Sequence, residues 1–171
     1  MDATLERAAF SPAVPEEADA VCALIAERIA WMDRMGLHGW NEQGICRSMT
    51  GPTLPVMPRR GACMYCVSPP ERWAGSVVLL EQDERWAGFS SAPAFYLHNL
   101  TAHPDLPGAG RLTLRRAEQL ARQRGKVCLR LDSQADNIPL TRLYESEGYR
   151  PVGTCQAGAY RGILREKSLT E

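Results

Sequence analysis

The sequence predicts a mixed α/β domain: a mostly antiparallel sheet with a central parallel strand-helix-strand crossover, flanked by helices. Three observations lead there. The stretch Phe95 to Glu118, FYLHNLTAHPDLPGAGRLTLRRAE, is an apolar strand, a Pro/Gly loop and an Arg-rich helix, and a second apolar strand follows it, the order of a right-handed parallel crossover. Upstream, short β-rich runs succeed one another across tight breaks, which suits antiparallel pairing. The chain closes on two further strands around a Gly-containing turn.

At 171 residues the chain fits one domain with a real core. Lys+Arg and Asp+Glu are both 20, so no net field is available to hold nucleic acid or an anionic membrane, and neither is expected as a partner. No apolar run approaches the ~20 residues of a membrane span, and the first residues lack a basic-then-apolar leader, so the expected location is cytoplasmic. Of the six cysteines, only Cys63 and Cys66 are closely spaced. They lie three apart in a strand, pointing to opposite faces, so buried reduced thiols are expected and no metal site.

In order, Pro12, Pro15, Glu16 and Glu17 mark a helix start, and Val21, Leu24, Ile25, Ile29 and Met32 form its apolar stripe up to Gly36. The segment from Gly36 to Pro58 mixes Trp40 with Gly and Pro and reads as a surface cover. Strands are expected at Ala62 to Val67, Gly75 to Glu81 and Phe95 to Ala102, with the break Gln82 to Pro93 between the last two. A helix over Arg111 to Arg124 would bury Leu114, Ala117, Leu120 and Ala121 and end at Gly125. Glu118 then falls on the arginine face, four residues before Arg122, as a solvated pair. The strand Lys126 to Asp132 follows. After it comes a short helix capped by Asn137 and closed by Gly148, then strands Arg150 to Cys155 and Tyr160 to Glu166.

A strand that passes through glycines into a helix aims unpaired N–H groups and the positive end of the helix dipole at one point, which suits a phosphate. Gly108, Ala109, Gly110 and Arg111 are the candidate cradle; the plain alternative is a turn. A dinucleotide site would use the same glycines, with Asp132 as the ribose-binding acid. Against it, HPDLP separates strand from first glycine, Thr113 fills the third glycine position, and too little chain remains for a second half.

The order of elements, with YLHNLTAHP, the Gly-rich loop, and LDSQADNIPLTRLYESEGYRPVG, resembles the GNAT superfamily of N-acetyltransferases. Trp31, Gly36 and Trp40 are similar to a W…G…W stretch of some small members. The resemblance implies a GNAT-like fold and transfer of the acetyl group of acetyl-CoA to a primary amine of a small molecule or peptide, by direct attack in a ternary complex. It implies that the backbone N–H groups of Leu100, Thr101 and Ala102 face the acetyl carbonyl and pantetheine. The loop around Gly108 to Arg111 would bind the pyrophosphate, and Asn137 would meet pantetheine or simply cap its helix. Tyr144 would protonate the leaving thiolate, and a homodimer is the family-level expectation.

His98, alternating with Tyr96 and Leu100 on one strand face, is either the general base or a hydrogen-bonded core residue; Glu81 is a further base candidate. Asp105 stands where the family pattern has Gln or Arg, and the loop is about two residues shorter. The alternative to an enzyme is therefore a non-catalytic acyl-CoA-binding or interaction module.

Overall fold

The computed structural model of the chain describes residues 5, 8–37, 62–68 and 73–170, and within 62–68 only the side chain of Val67. Trp40, Glu42, Cys46 and the side chains of Cys63 and Cys66 lie outside the described residues. The strands are β1 (Ala9–Pro12), β2 (Ala62–Ser68), β3 (Gly75–Leu80), β4 (Ala94–Ala102), β5 (Cys128–Gln134), β6 (Arg150–Ala157) and β7 (Tyr160–Ser168). The helices are α1 (Ala18–Arg34), α2 (Ala109–Gln123) and α3 (Ile138–Ser146), with 3₁₀ turns at Pro15–Glu17 and Glu84–Trp86. Hydrogen bonding orders the strands β1-β2-β3-β4-β5-β7-β6. β4 and β5 run parallel, while β1–β2, β5–β7 and β6–β7 are antiparallel, the mixed sheet expected from the sequence.

One strand is new. Ala9–Pro12 pairs with β2, Ala9 opposite Ser68 and Pro12 opposite Tyr65. It lies at the edge of the sheet, where the missing N–H of Pro12 costs no ladder bond. α1 buries Val21, Leu24, Ile25 and Met32 of the predicted stripe, while Ile29 is only half-buried. Gly36, Gly125 and Gly148 end the three helices at positive φ (62°, 69° and 88°). After each, the next N–H reaches back to the last turn, as in Lys126 N to Ala121 O at 2.9 Å, so glycine supplies the left-handed C′ residue.

Contacts divide the chain into two compact units, residues 1–79 with 99–116 and residues 80–98 with 117–171. The first is centred on Leu5, Ala8, Val67, Ala74, Leu106, Ala109 and Leu112. Here α2 approaches β3 closely: a Cβ on Gly75 would lie 2.6 Å from Thr113 Oγ1 and 2.9 Å from the Thr101 carbonyl oxygen. Thr113 is fully buried, with its hydroxyl held by Ala109 O at 2.9 Å, so it cannot yield cheaply. Gly75→Ala should therefore lower stability by about 1–3 kcal/mol in denaturant titration, whereas an open glycine here would give a gain from a stiffer unfolded chain.

In the second unit a row of side chains crosses four strands through the pairs Tyr96–Arg130, Arg130–Glu166 and Glu166–Arg150. Arg130 is 1% exposed, and a buried guanidinium requires partners. It donates to Glu166 at 2.7 Å, the Ser90 carbonyl at 2.9 Å and the Tyr96 hydroxyl at 3.0 Å, with the Trp86 ring centre 5.1 Å away.

Glu118 corrects the expected pairing. It is buried on the core side of α2, 2.7 Å from Lys167 Nζ and 3.3 Å from the Tyr149 hydroxyl, while Leu120 is only half-buried. Arg122 instead donates to the Leu169 carbonyl at 3.4 Å. The reason is that Lys167, supplied by β7, neutralises a carboxylate that would otherwise be forced to the surface.

Candidate active site

The predicted cofactor residues of the first unit follow one another along β4, its loop and α2. The β4–β5 ladder ends at Leu97 opposite Leu131, although β4 continues to Ala102 and β5 to Gln134. Asn99, just past that point, has φ 52°, a left-handed conformation that asparagine tolerates better than other side chains. The Thr101 hydroxyl donates to the Asn99 carbonyl at 3.2 Å and steadies the kink. Thr101 is fully buried with its hydroxyl engaged, and Leu100 and Ala102 are half-buried and apolar, so hydrogen bonds to a ligand could come only from their backbones.

The loop is pinned before the helix begins. His103 Nδ1 accepts the Asp105 N–H at 3.2 Å and its Nε2 lies 3.0 Å from Glu27 Oε2, a structural role for this histidine. The Asp105 side chain is exposed. Gly108, at φ 94°, turns the chain into α2, and its carbonyl accepts the Leu112 N–H at 2.9 Å. Ala109 buries its methyl in the core and gives its N–H to Leu106 O at 3.1 Å. Gly110 therefore carries a first-turn N–H without a partner among the described residues, and the exposed Arg111 follows it.

The second unit holds His98 and the charged groups around it. His98 Nε2 lies 2.8 Å from Asp83 Oδ2, and Asp83 Oδ1 accepts the Arg85 N–H at 3.0 Å as the cap of the 3₁₀ turn. Burial works to raise the Asp83 carboxyl. The hydrogen bonds from His98 and Arg85, with the charges of both, outweigh burial and hold it below its ordinary value. Arg85 Nη1 donates to Asp132 Oδ1 at 2.8 Å, and the Tyr160 hydroxyl donates to Asp132 Oδ2 at 2.5 Å. Burial, then this bond to Asp132, pushes the Tyr160 phenol far up; burial and Asp132 also raise the Cys155 thiol.

Atoms of Asp83, His98 and Asp132 lie within 4.8 Å of one another, the spacing of a cation site. Each carboxylate oxygen already accepts a hydrogen bond and Arg85 supplies a positive charge, so the donor set suits proton chemistry better than a divalent ion.

Asn137 accepts the Leu140 N–H at 3.0 Å, which makes it the cap of α3 and leaves its amide N–H groups for any ligand. Tyr144, from the same helix, is buried with its ring centre 5.9 Å from that of Tyr149. Burial, and secondarily Asp132, pushes its phenol up to about 12 against the pull of Arg165. The Tyr149 phenol is raised as well, by burial and then by Glu118.

Raised phenols stabilise the fold fully below the unfolded value near ~10 and lose that contribution as pH climbs through the folded values. Alkaline titration should accordingly show Tyr144, Tyr149 and Tyr160 ionising only with unfolding, above about pH 10. Phenolate absorbance that rises for all five tyrosines before the circular dichroism changes would contradict this.

Glu81, the further base candidate, is paired with Lys126 at a strand end. Asp83, Arg85 and Tyr160 were not legible as site residues. The one local signal was Asp83 before Glu84-Arg85, an N-cap pattern. Asp132, the ribose-binding acid of the dinucleotide alternative, has both oxygens engaged by Arg85 and Tyr160.

No family model matches the sequence, and no curated protein matches it. Solved structures do. The PaiA N-acetyltransferase of Thermoplasma acidophilum, solved in complex with coenzyme A, superposes with TM-score 0.72 at 14% identity, covering 94% of this chain and 98% of that one. A GNAT-family acetyltransferase of Listeria monocytogenes gives TM-score 0.69 at 16% identity, covering 94% of each. The ribosomal-protein-S18-alanine N-acetyltransferase of Escherichia coli gives 0.65 at 16%, covering 96% of this chain and 95% of that one. The fold is that of the GNAT N-acetyltransferases. At these identities the likeness is one of fold.

No helix among the described residues is long and apolar enough to cross a membrane.

Proposed function

We propose that the chain is a single-domain N-acetyltransferase that moves the acetyl group of acetyl-CoA to a primary amine of a small molecule or peptide. The observation that carries this reading is the path of β4 through the left-handed Asn99 into the Gly108 turn and the open N–H of Gly110 at the start of α2. Such a helix start favours a diphosphate, and the fold is one that a coenzyme A-bound neighbour shares.

In the proposed reaction the diphosphate rests on Gly110 and Arg111, and the backbone of Leu100, Thr101 and Ala102 supports the acetyl carbonyl and pantetheine. Asn137 contributes an amide N–H to that arm. The amine nitrogen attacks the thioester carbon in a ternary complex; a C–N bond forms, the C–S bond breaks, and the thiolate leaves as CoA. His98 takes the ammonium proton at Nδ1, since Nε2 faces Asp83, and Tyr144 gives its hydroxyl proton to the thiolate. Both groups then exchange protons with solvent.

The test is release of free CoA from acetyl-CoA in the presence of spermidine, kanamycin or a peptide with N-terminal alanine. Turnover with any of them supports the reading. Tight acetyl-CoA binding with no turnover across a wider amine panel would place the chain among non-catalytic acyl-CoA-binding modules.

A further inference from the structure

We infer that Tyr160, Asp132 and Arg85 are positioning residues for His98: they pin the 3₁₀ turn that carries Asp83 and so fix the imidazole in one tautomer. The inference rests on the proposed base role of His98. The chain of contacts is continuous. Tyr160 donates to Asp132 Oδ2 at 2.5 Å, Arg85 Nη1 donates to Asp132 Oδ1 at 2.8 Å, the Arg85 N–H donates to Asp83 Oδ1 at 3.0 Å, and Asp83 Oδ2 lies 2.8 Å from His98 Nε2.

Its members come from β7, β5, the 3₁₀ turn and β4, so one line of contacts links four separate elements. The carboxylates are nearly enclosed, Asp83 at 8% and Asp132 at 7% exposure, and unpaired they would be costly there. Each has a partner on both oxygens. His98, at 22% exposure, has a single hydrogen bond and keeps its Nδ1 unpartnered among the described residues.

That asymmetry gives the network a direction. A network that served stability alone would end in satisfied groups, whereas this one ends on a ring whose second nitrogen is available. Because Nε2 faces a carboxylate held in its charged form, the proton sits on Nε2 and the lone pair on Nδ1. The guanidinium and the backbone N–H belong to one residue, so a guanidinium held by Asp132 restrains the residue that also donates to Asp83. Among the described residues, Cys155 and Tyr144 are further ionisable groups that face this cluster, both near Asp132.

The test is nitrogen-15 NMR of the imidazoles in the full chain, three in number, with His98 assigned by its loss in H98Q. The wild-type ring should show one tautomer, protonated at Nε2. Tyr160→Phe and Arg85→Gln should each convert it to a mixture, and with the best of the three amines should lower kcat about 10-fold at unchanged KM. Arg85→Lys should restore part of the loss, since a single ammonium can still reach Asp132.

Arg85 is 40% exposed, so its variants test the idea even if Tyr160→Phe fails to fold. A single-tautomer spectrum retained in Arg85→Gln, or a fall confined to KM, would overturn the inference. The NMR readout needs neither acetyl-CoA nor acceptor, so a chain that does not bind acetyl-CoA would refute the proposed function and leave this measurement standing.

Discussion

Gly110→Asp should weaken acetyl-CoA binding by about 5- to 1,000-fold while leaving the protein as stable as before, or slightly more so. A Cβ at Gly110 would meet only the Ala102 Cβ, at 3.6 Å, which is ordinary contact, so the side chain can be accommodated. A carboxylate in the first turn of α2 also complements the helix dipole, by about 0.3–1 kcal/mol. The same carboxylate would sit where the diphosphate is proposed to rest. Like charges at ~4–5 Å in a partly screened site repel by roughly 1–4 kcal/mol, which is about 5- to 1,000-fold in Kd. The two effects have opposite signs, and that separates loss of a site from loss of a fold. Calorimetric titration and thermal melting of the same preparation provide both numbers. Undiminished affinity in the folded variant would move the phosphate site elsewhere.

Tyr144→Phe should lower kcat by about 100-fold or more, within the 10²–10⁴ range of general acid catalysis, and change acetyl-CoA affinity less than ~2-fold. The phenol lies at about 12, so it is fully protonated at neutral pH and always available as a donor. Against a thiol value of ~8.5 it is the weaker acid, so its help comes as the thiolate charge develops and not as free proton transfer beforehand. The hydroxyl has no hydrogen-bond partner among the described residues, so its removal should leave the melting temperature nearly unchanged. Turnover that survives the substitution would assign thiolate protonation to another group or to water.

What the sequence made legible was whatever depends on near neighbours. The stripe of α1, the Asn137 cap, the glycine at each helix end and the strand-loop-helix around Gly108 each follow from residues a few positions apart. β1 escaped because Ala9–Pro12 is short, contains proline, and is a strand only by its pairing with β2. Glu118 was misread because its partner Lys167 lies 49 residues away. The positioning network was hidden for the same reason. Arg85 meets Asp132 across 47 residues and Tyr160 meets it across 28, and no local pattern announces either pair. His98 and Tyr144 could be named as candidates from strand alternation and family likeness, but the carboxylate behind His98 required coordinates.

The central claim is that this fold binds acyl-CoA through the start of α2. Thermal shift of the wild-type chain with acetyl-CoA, CoA and NAD, each at 100 times an expected micromolar Kd, tests it most directly. A CoA-type ligand at that excess should stabilise the chain by about 2.7 kcal/mol, and NAD should not stabilise it. Stabilisation by NAD alone, or no shift with any of the three, would contradict it.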